Sequence, residues 1–297
     1  MKNVKIILIL LCAALAACSS DDEQEQDADG RRLRLLTIAD GPVTRATLTE
    51  SGNTMGATWN KDDVATFFNV TVFDEGNMNY GSLTASNSEE TSTFTGTVFC
   101  KEGDDIALLY PAKTPDISSG DDRGKFTISL SGQKGTLADI QENFHYVYGV
   151  AKVTSVTEST ANANIDNMKS LLAVCKFTFK DEDNKLIPVK TLKISYYESK
   201  IEIGYHQSAK ITPTEDVSSL TISFPGSFGD GVTVNLDKET CDGVYVALFP
   251  NQGFPEDEWP TGMLFTVTDA SGNTYTATAT AKLKAGKYYP ANITLTK

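Results

Sequence analysis

The chain has 297 residues, 40% of them apolar, with a formal net charge of −13 and a pI near 4.6. That balance excludes nucleic acid and an anionic membrane surface as electrostatic partners, and it serves solubility. Once a targeting segment is set aside, about 280 residues remain, long for one domain and comfortable for two.

Lys2 and Lys5 precede an apolar run over residues 6–14 that is too short to span a bilayer, and Leu15-Ala16-Ala17-Cys18 closes it. This is the pattern of a secretory signal over residues 1–17 ending in a lipobox. It predicts cleavage before Cys18, diacylglycerol on that thiol and an acylated amine. The competing reading is an ordinary signal peptide with an incidental cysteine. Residues 19–27 are acidic and lack any apolar side chain, so they cannot bury enough surface to fold and read as a solvated tether.

Residues 31–40, Arg-Arg-Leu-Arg-Leu-Leu-Thr-Ile-Ala-Asp, fit one extended strand, followed by Gly41-Pro42 and then Arg45-Ala46. Arg45 reads equally as a processing site beside a turn and as an ordinary surface residue. Beyond it, nearly every apolar segment is short, rich in Thr, Val, Ile, Phe and Tyr, and bounded by Gly, Asn, Asp or Pro, the signature of an all-β chain. Strands are predicted at 93–99, 105–110, 125–130, 145–154, 174–180, 189–196, 220–224, 232–236 and 244–249. Their spacing suggests sandwiches rather than βαβ units.

Residues 135–143 offer a helical turn and 164–170 a second. The polar, small-residue stretch 156–164 reads as the passage between two domains, with the boundary near Asp166. The predicted organisation is a leader over 18–45, a first β-domain over 46–165 and a second over 166–297. Two alternating runs joined by Asp269-Ala270-Ser271-Gly272-Asn273 form a hairpin, because Gly272 and Asn273 accept the backbone a tight turn requires. The last strand carries Tyr289, Ala291, Ile293 and Leu295 on one face, and Pro290 places it at an edge or a bulge.

No catalytic constellation is legible, and the chain is not expected to be an enzyme. His145 and His206 stand about sixty residues apart without a second ligand at metal spacing, so no metal or cofactor is predicted. The acidic pairs Asp62-Asp63, Asp104-Asp105, Asp121-Asp122 and the run 181–183 read as solvated turn residues. Trp59 is expected to pack in a core, whereas Trp259, in a loop, is the better candidate for a ligand contact. Of the cysteines beyond Cys18, Cys175 shares a strand face with Ala173, Phe177 and Phe179 and reads as a buried hydrophobe. An oxidising envelope permits a Cys100–Cys241 disulfide, but the lack of framework spacing favours free thiols.

Several segments in order resemble the fimbrillin family of Bacteroidetes, the subunits of type V pili that include the Mfa-like lipoproteins. They are the lipobox at Cys18, Val43-Thr44-Arg45-Ala46 leading to Trp59-Asn60-Lys61-Asp62-Asp63, Leu109-Tyr110-Pro111, Gln133-Lys134-Gly135-Thr136-Leu137, residues 169–179, and Leu283-Lys284-Ala285-Gly286-Lys287-Tyr288-Tyr289. The family usually has Gly-Asp where this chain has Asp62-Asp63. The resemblance implies two transthyretin-like β-sandwiches in tandem, export as a lipoprotein and assembly by donor-strand exchange. Cleavage would fall between Arg45 and Ala46, the displaced strand would carry Leu33, Leu35, Leu36 and Ile38, and the donor would be the strand with Tyr289, Ala291, Ile293 and Leu295. The partners would be other pilus subunits, the outer membrane through Cys18 and an unnamed adhesion target. The alternative is a non-polymerising surface lipoprotein that binds glycans through Trp259 and nearby tyrosines.

Overall fold

Period-two alternation of β-branched, aromatic and polar residues runs through the described residues, and it produces strands throughout. The computed structural model describes residues 29–40, 47–72, 79–89, 91–118, 120–198, 200–226, 228–250 and 262–297. Cys18, Arg45, Ala46 and Trp259 lie outside the described residues.

Seven strands close on themselves around the first core. They are β1 (Arg32–Asp40), β4 (Val64–Asn69), β5 (Tyr80–Ala85), β6 (Thr93–Cys100), β7 (Asp105–Tyr110), β9 (Val147–Val156) and β10 (Thr160–Ser170). The order around the sheet is β1-β10-β9-β7-β4-β5-β6, with β6 meeting β1 again. The remaining N-terminal strands, β2 (Thr47–Ser51), β3 (Thr54–Thr58) and β8 (Phe126–Ser129), lie outside this barrel. Trp59 sits in the barrel interior with no exposure, edge-on to Phe94 at 4.8 Å and to Tyr110 at 5.2 Å. It therefore packs, as its place before an apolar run suggests.

The second core lies between two sheets. One has the order β17-β11-β20, from β11 (Ala173–Lys180), β17 (Val244–Leu248) and β20 (Tyr288–Thr294). The other is centred on β12 (Val189–Glu198), flanked by β18 (Gly262–Thr268) and β19 (Thr274–Thr280) on one side and by β16 (Val232–Thr240) and β13 (Ile201–Gly204) on the other. Phe177 and Phe179 face Phe265 across the gap at 4.9 and 6.1 Å. A third small sheet joins β8 to β14 (Ser208–Thr212) and β15 (Thr221–Ser223).

Three expectations change. The stretch 156–164 is no passage between domains: β9 turns at Thr157–Thr160 directly into β10, where Ala161, Ala163 and Ile165 point into the barrel. Asp166 thus falls inside a strand, and residues 164–170 extend β10 instead of forming a helical turn. Nor are the two cores separate in sequence or space. Phe68, Ala107, Leu109 and Tyr148, on barrel strands, belong to the second core together with Leu48 of β2 and with Phe126 and Ile128 of β8. This shared wall explains why β4 and β7 are buried on nearly every residue and read as continuous apolar runs.

The helical turn at 135–143 is α1 (Leu137–Asp139), capped by the Thr136 hydroxyl and widened over residues 140–144. Gly135 before it has φ +77°, and a Cβ there would come within 2.9 Å of Val244. Gln133 is buried and exchanges hydrogen bonds with the Ala247 backbone, donating at 3.0 Å and accepting at 2.7 Å. Residues 133–135 therefore stitch the first half of the chain to β17.

Asp62 has φ +73°, the left-handed conformation that glycine adopts without cost. Its backbone N–H donates to Ala85 at 3.0 Å, while Asp63 accepts from the Asn60 N–H at 2.6 Å and holds the turn beside Trp59. Asp62→Gly relieves a strain of about 1–2 kcal/mol and gives back about 0.5–1 kcal/mol in unfolded-state entropy. The expected result in urea denaturation is a net gain of up to about 1.5 kcal/mol with an unchanged m-value; a loss of stability would contradict this account of the turn.

Candidate assembly interface

β1 lies between β6, antiparallel, and β10, parallel, and it shares a hairpin with neither. Its alternation splits the four leucine and isoleucine residues expected on a displaced strand. Leu36 and Ile38 are fully buried in the barrel, whereas Leu33 and Leu35 face outward, 47% and 52% exposed. Burying Leu36 and Ile38 contributes about 1.5–3 kcal/mol each.

The N-terminal end of β1 is pinned by two buried arginines. Arg31 donates through Nε and Nη2 to the two carboxylate oxygens of Asp104, at 2.8 and 2.6 Å, and also meets Asp29. Asp104 further accepts from Asn69 Nδ2 at 2.9 Å and from the Lys101 N–H at 3.1 Å. Burial pushes the Asp104 carboxyl upward, but the bonds from Arg31, Asn69 and Lys101 outweigh it and leave its pKa below the usual range. Arg34 donates to the carbonyls of Thr157, at 2.7 Å, and Cys100. Asp104 is thus no solvated turn residue. Nothing in the local sequence distinguishes it from Asp105, because its partner lies 73 residues away.

β20 takes the edge position that Pro290 suggested, parallel to β11 from Val174↔Tyr288 to Lys180↔Thr294. Ile293 and Leu295 are buried in the second core, and Tyr289 and Ala291 on the same face are half-buried. Thr276 and Thr296 exchange backbone bonds at 2.8 and 2.9 Å, tying the end of the chain to β19. The candidate donor is therefore seated in its own subunit.

Hairpin β2–β3 covers the outer face of the β17-β11-β20 sheet. The Glu50 carboxylate accepts from one side chain on each strand: Lys176 Nζ of β11 at 2.9 Å, Tyr288 OH of β20 at 2.6 Å, and Tyr245 OH of β17. The Tyr245, Tyr288 and Lys176 bonds lower the Glu50 pKa from 4.5 to about 2, against the opposing effect of burial. Beneath the hairpin lies a cleft of about 360 Å³ lined by Leu48, Met55, Leu172, Val174 and, at its polar end, His145 and Lys287. This cluster was not legible in the sequence, since the partners of Glu50 stand 126 to 238 residues away.

His145 is buried, its Nε2 3.1 Å from Ser170 Oγ, and His206 stacks on Phe224 with burial lowering its pKa. Cys100 and Cys175 are buried and Cys241 half-buried, all as free thiols. Burial raises the pKa of Cys100 to about 11. Asp181 accepts from the N–H groups of Asp183 and Lys185, as a turn residue does. Among the described residues, no group of three or more His, Cys, Asp and Glu is placed to hold a metal, and no helix is long and apolar enough to cross a membrane.

Two solved structures of Bacteroides chains, described as candidate cell adhesion proteins, share this all-β fold. One from Bacteroides uniformis overlaps with a TM-score of 0.55 at 17% identity, covering 92% of this chain and 95% of that one. Another, from Bacteroides ovatus, gives 0.53 at 14%, covering 90% and 96%. A weaker overlap, 0.42 at 11% over 88% and 95%, links the C-terminally truncated tip fimbrial protein Mfa3 of Porphyromonas gingivalis. The two overlaps above 0.5 establish a shared fold. No family model and no curated protein matches the chain.

Two outcomes follow from the ionic contacts. Asp104→Ala leaves Arg31 only the part-exposed Asp29 and is expected to cost about 3 kcal/mol, the low end for a broken buried pair, with β1 amides losing protection first in hydrogen exchange; intact β1 protection would refute the pin. Glu50 has a depressed folded pKa, so its contribution is complete above pH 4.5 and is lost as pH falls toward 2. Melting temperatures from pH 5 to 2 are expected to fall more steeply for the wild type than for Glu50→Gln, and parallel curves would count against the anchor.

Proposed function

We propose that the chain is a structural or adhesive subunit of a cell-surface fibre, without catalytic activity. It is carried outward as a lipoprotein through Cys18, cut between Arg45 and Ala46, and polymerised with other pilus subunits by donor-strand exchange. Its two cores are read as tandem transthyretin-like units, the first with its sheet closed by β1. The observation that carries this reading is one of topology. Of the strand pairs among the described residues, only β1–β10 and β11–β20 are parallel, and they involve the first and last strands.

Antiparallel neighbours can be joined by a hairpin, but a parallel neighbour has to be brought in from elsewhere, in cis or in trans. Residues 41–46 are the covalent link from β1 to the rest of the subunit. Once that link is cut, ladders, two arginines and two buried side chains are all that retain β1. The vacated slot offers pockets for Leu36 and Ile38, two residues apart, and Ile293 of β20 with Leu295 just beyond it repeats that spacing and size. Backbone bonds would supply affinity and the pockets specificity.

Fibres isolated from cells are expected to consist of chains beginning at Ala46, and chains still starting at acylated Cys18 would refute the cleavage. Arg45→Ala is expected to leave folded subunits on the surface without fibres. Fibres of normal length from that variant would overturn the scheme.

A further inference from the structure

We propose that Glu50 is a latch through which hairpin β2–β3 holds the C-terminal strand β20 in its own sheet, so that β20 leaves as a donor only after the Glu50–Tyr288 contact opens. This rests on the reading of β20 as donor and adds what controls its release.

Four observations lead there. First, Glu50 binds a side chain on each of the three strands of one sheet, and Tyr288 is the first residue of β20. The contact therefore sits where peeling of β20 from its N-terminal side would begin. Second, Glu50 has two further partners, Lys176 and Tyr245, on strands β11 and β17. The carboxylate stays oriented whether or not Tyr288 is bound, so the latch can open without the hairpin losing its seat.

Third, the cleft of about 360 Å³ under the hairpin leaves the seam between Leu48 and Met55 above and Leu172 and Val174 below incompletely filled. Leu48 is buried in the second core, but with part of the seam open the hairpin leans more on its polar contacts, Glu50 foremost. Fourth, the hairpin starts at Thr47, one residue beyond the Arg45–Ala46 bond, and residues 41–46 leash it to β1. While β1 fills the barrel, the hairpin is tethered at both ends, to β1 and through Trp59 to the barrel core. Cutting the leash frees one end. The same cleavage that opens the acceptor slot would then loosen the clamp on the donor, and a subunit would be kept from donating before it can accept.

The latch is tested by hydrogen exchange on the full-length chain. Tyr288→Phe removes the hydroxyl from β20 and leaves Glu50 with Lys176 and Tyr245. It is expected to raise exchange about tenfold at the amides of Ala291 to Thr294 while leaving β18 and β19 unchanged. Tyr245→Phe, which loses a bond of the same kind on β17, is expected to leave β20 protected. Unchanged β20 exchange in Tyr288→Phe overturns the latch. Equal loosening by Tyr245→Phe also overturns it, since the effect would then be a general weakening of the sheet. If Tyr288→Phe loosens β20 but fibres form at the wild-type rate, the latch stands and the assignment of β20 as donor fails.

Discussion

A β-strand edge carries unpaired N–H and C=O groups, and a sheet is complete only when each edge is paired, covered or exposed to water. β6 and β10 present two such edges toward each other, and β1 is the strand that satisfies both. Closure of the barrel, burial of Leu36 and Ile38 and the seat of Trp59 in a dry interior all depend on that slot being filled. Its occupant comes from the extreme N-terminal part of the described chain and lacks a hairpin to hold it. The constraint is therefore on the slot and not on the identity of the strand.

The same arrangement recurs at the other end with the burden placed differently. Each terminal strand is pinned by polar contacts at its N-terminal end: β1 by Arg31 and Arg34, β20 by Tyr288 on Glu50. The first pin is a bidentate pair with both side chains nearly inaccessible, so breaking it leaves each buried charge with weaker partners, Asp29 for Arg31 and Asn69 for Asp104. The second is part-exposed and shares its carboxylate with two other donors, so opening it leaves Glu50 satisfied. Of the two, the contact on β20 is the one suited to repeated opening.

What was legible in the sequence follows from range. Strands with β-branched or aromatic residues at period two, such as residues 105–110 and 174–180, need only local pattern and were found within a residue or two of their observed bounds. β10 escaped because its inward positions are Ala161 and Ala163, small enough that Thr-Ala-Asn-Ala-Asn reads as a polar linker although its alternation is intact. The division into two cores was legible, but not their shared wall, since Phe68 and Leu109 do not announce which face meets which core. At the candidate interface the strand 31–40 could be read from its own residues. Asp104 and Glu50 could not, because the charged partner of each, Arg31 and Lys176, stands more than seventy residues away. Asp62 is intermediate: its departure from the glycine that the fimbrillin resemblance leads one to expect marked a special position, and φ +73° supplies the reason.

The direction of the proposed exchange follows from counting edges. In its own subunit β20 pairs fully with β11 alone, apart from the bridge at Thr296, whereas the β1 slot offers a ladder on both sides. A strand that moves from an edge into a two-sided slot gains backbone bonds worth about 0.5–1.5 kcal/mol each, and its buried side chains exchange one core for another of similar depth. Hydrophobic burial is thus close to neutral in the exchange, and the additional ladder supplies the bias. The cost left over falls on the donor, whose β11 edge and second core are uncovered where Ile293 and Leu295 were. A subunit that released β20 without an acceptor within reach would expose that face to every passing edge, the hazard that a contact restraining β20 until the slot opens would remove.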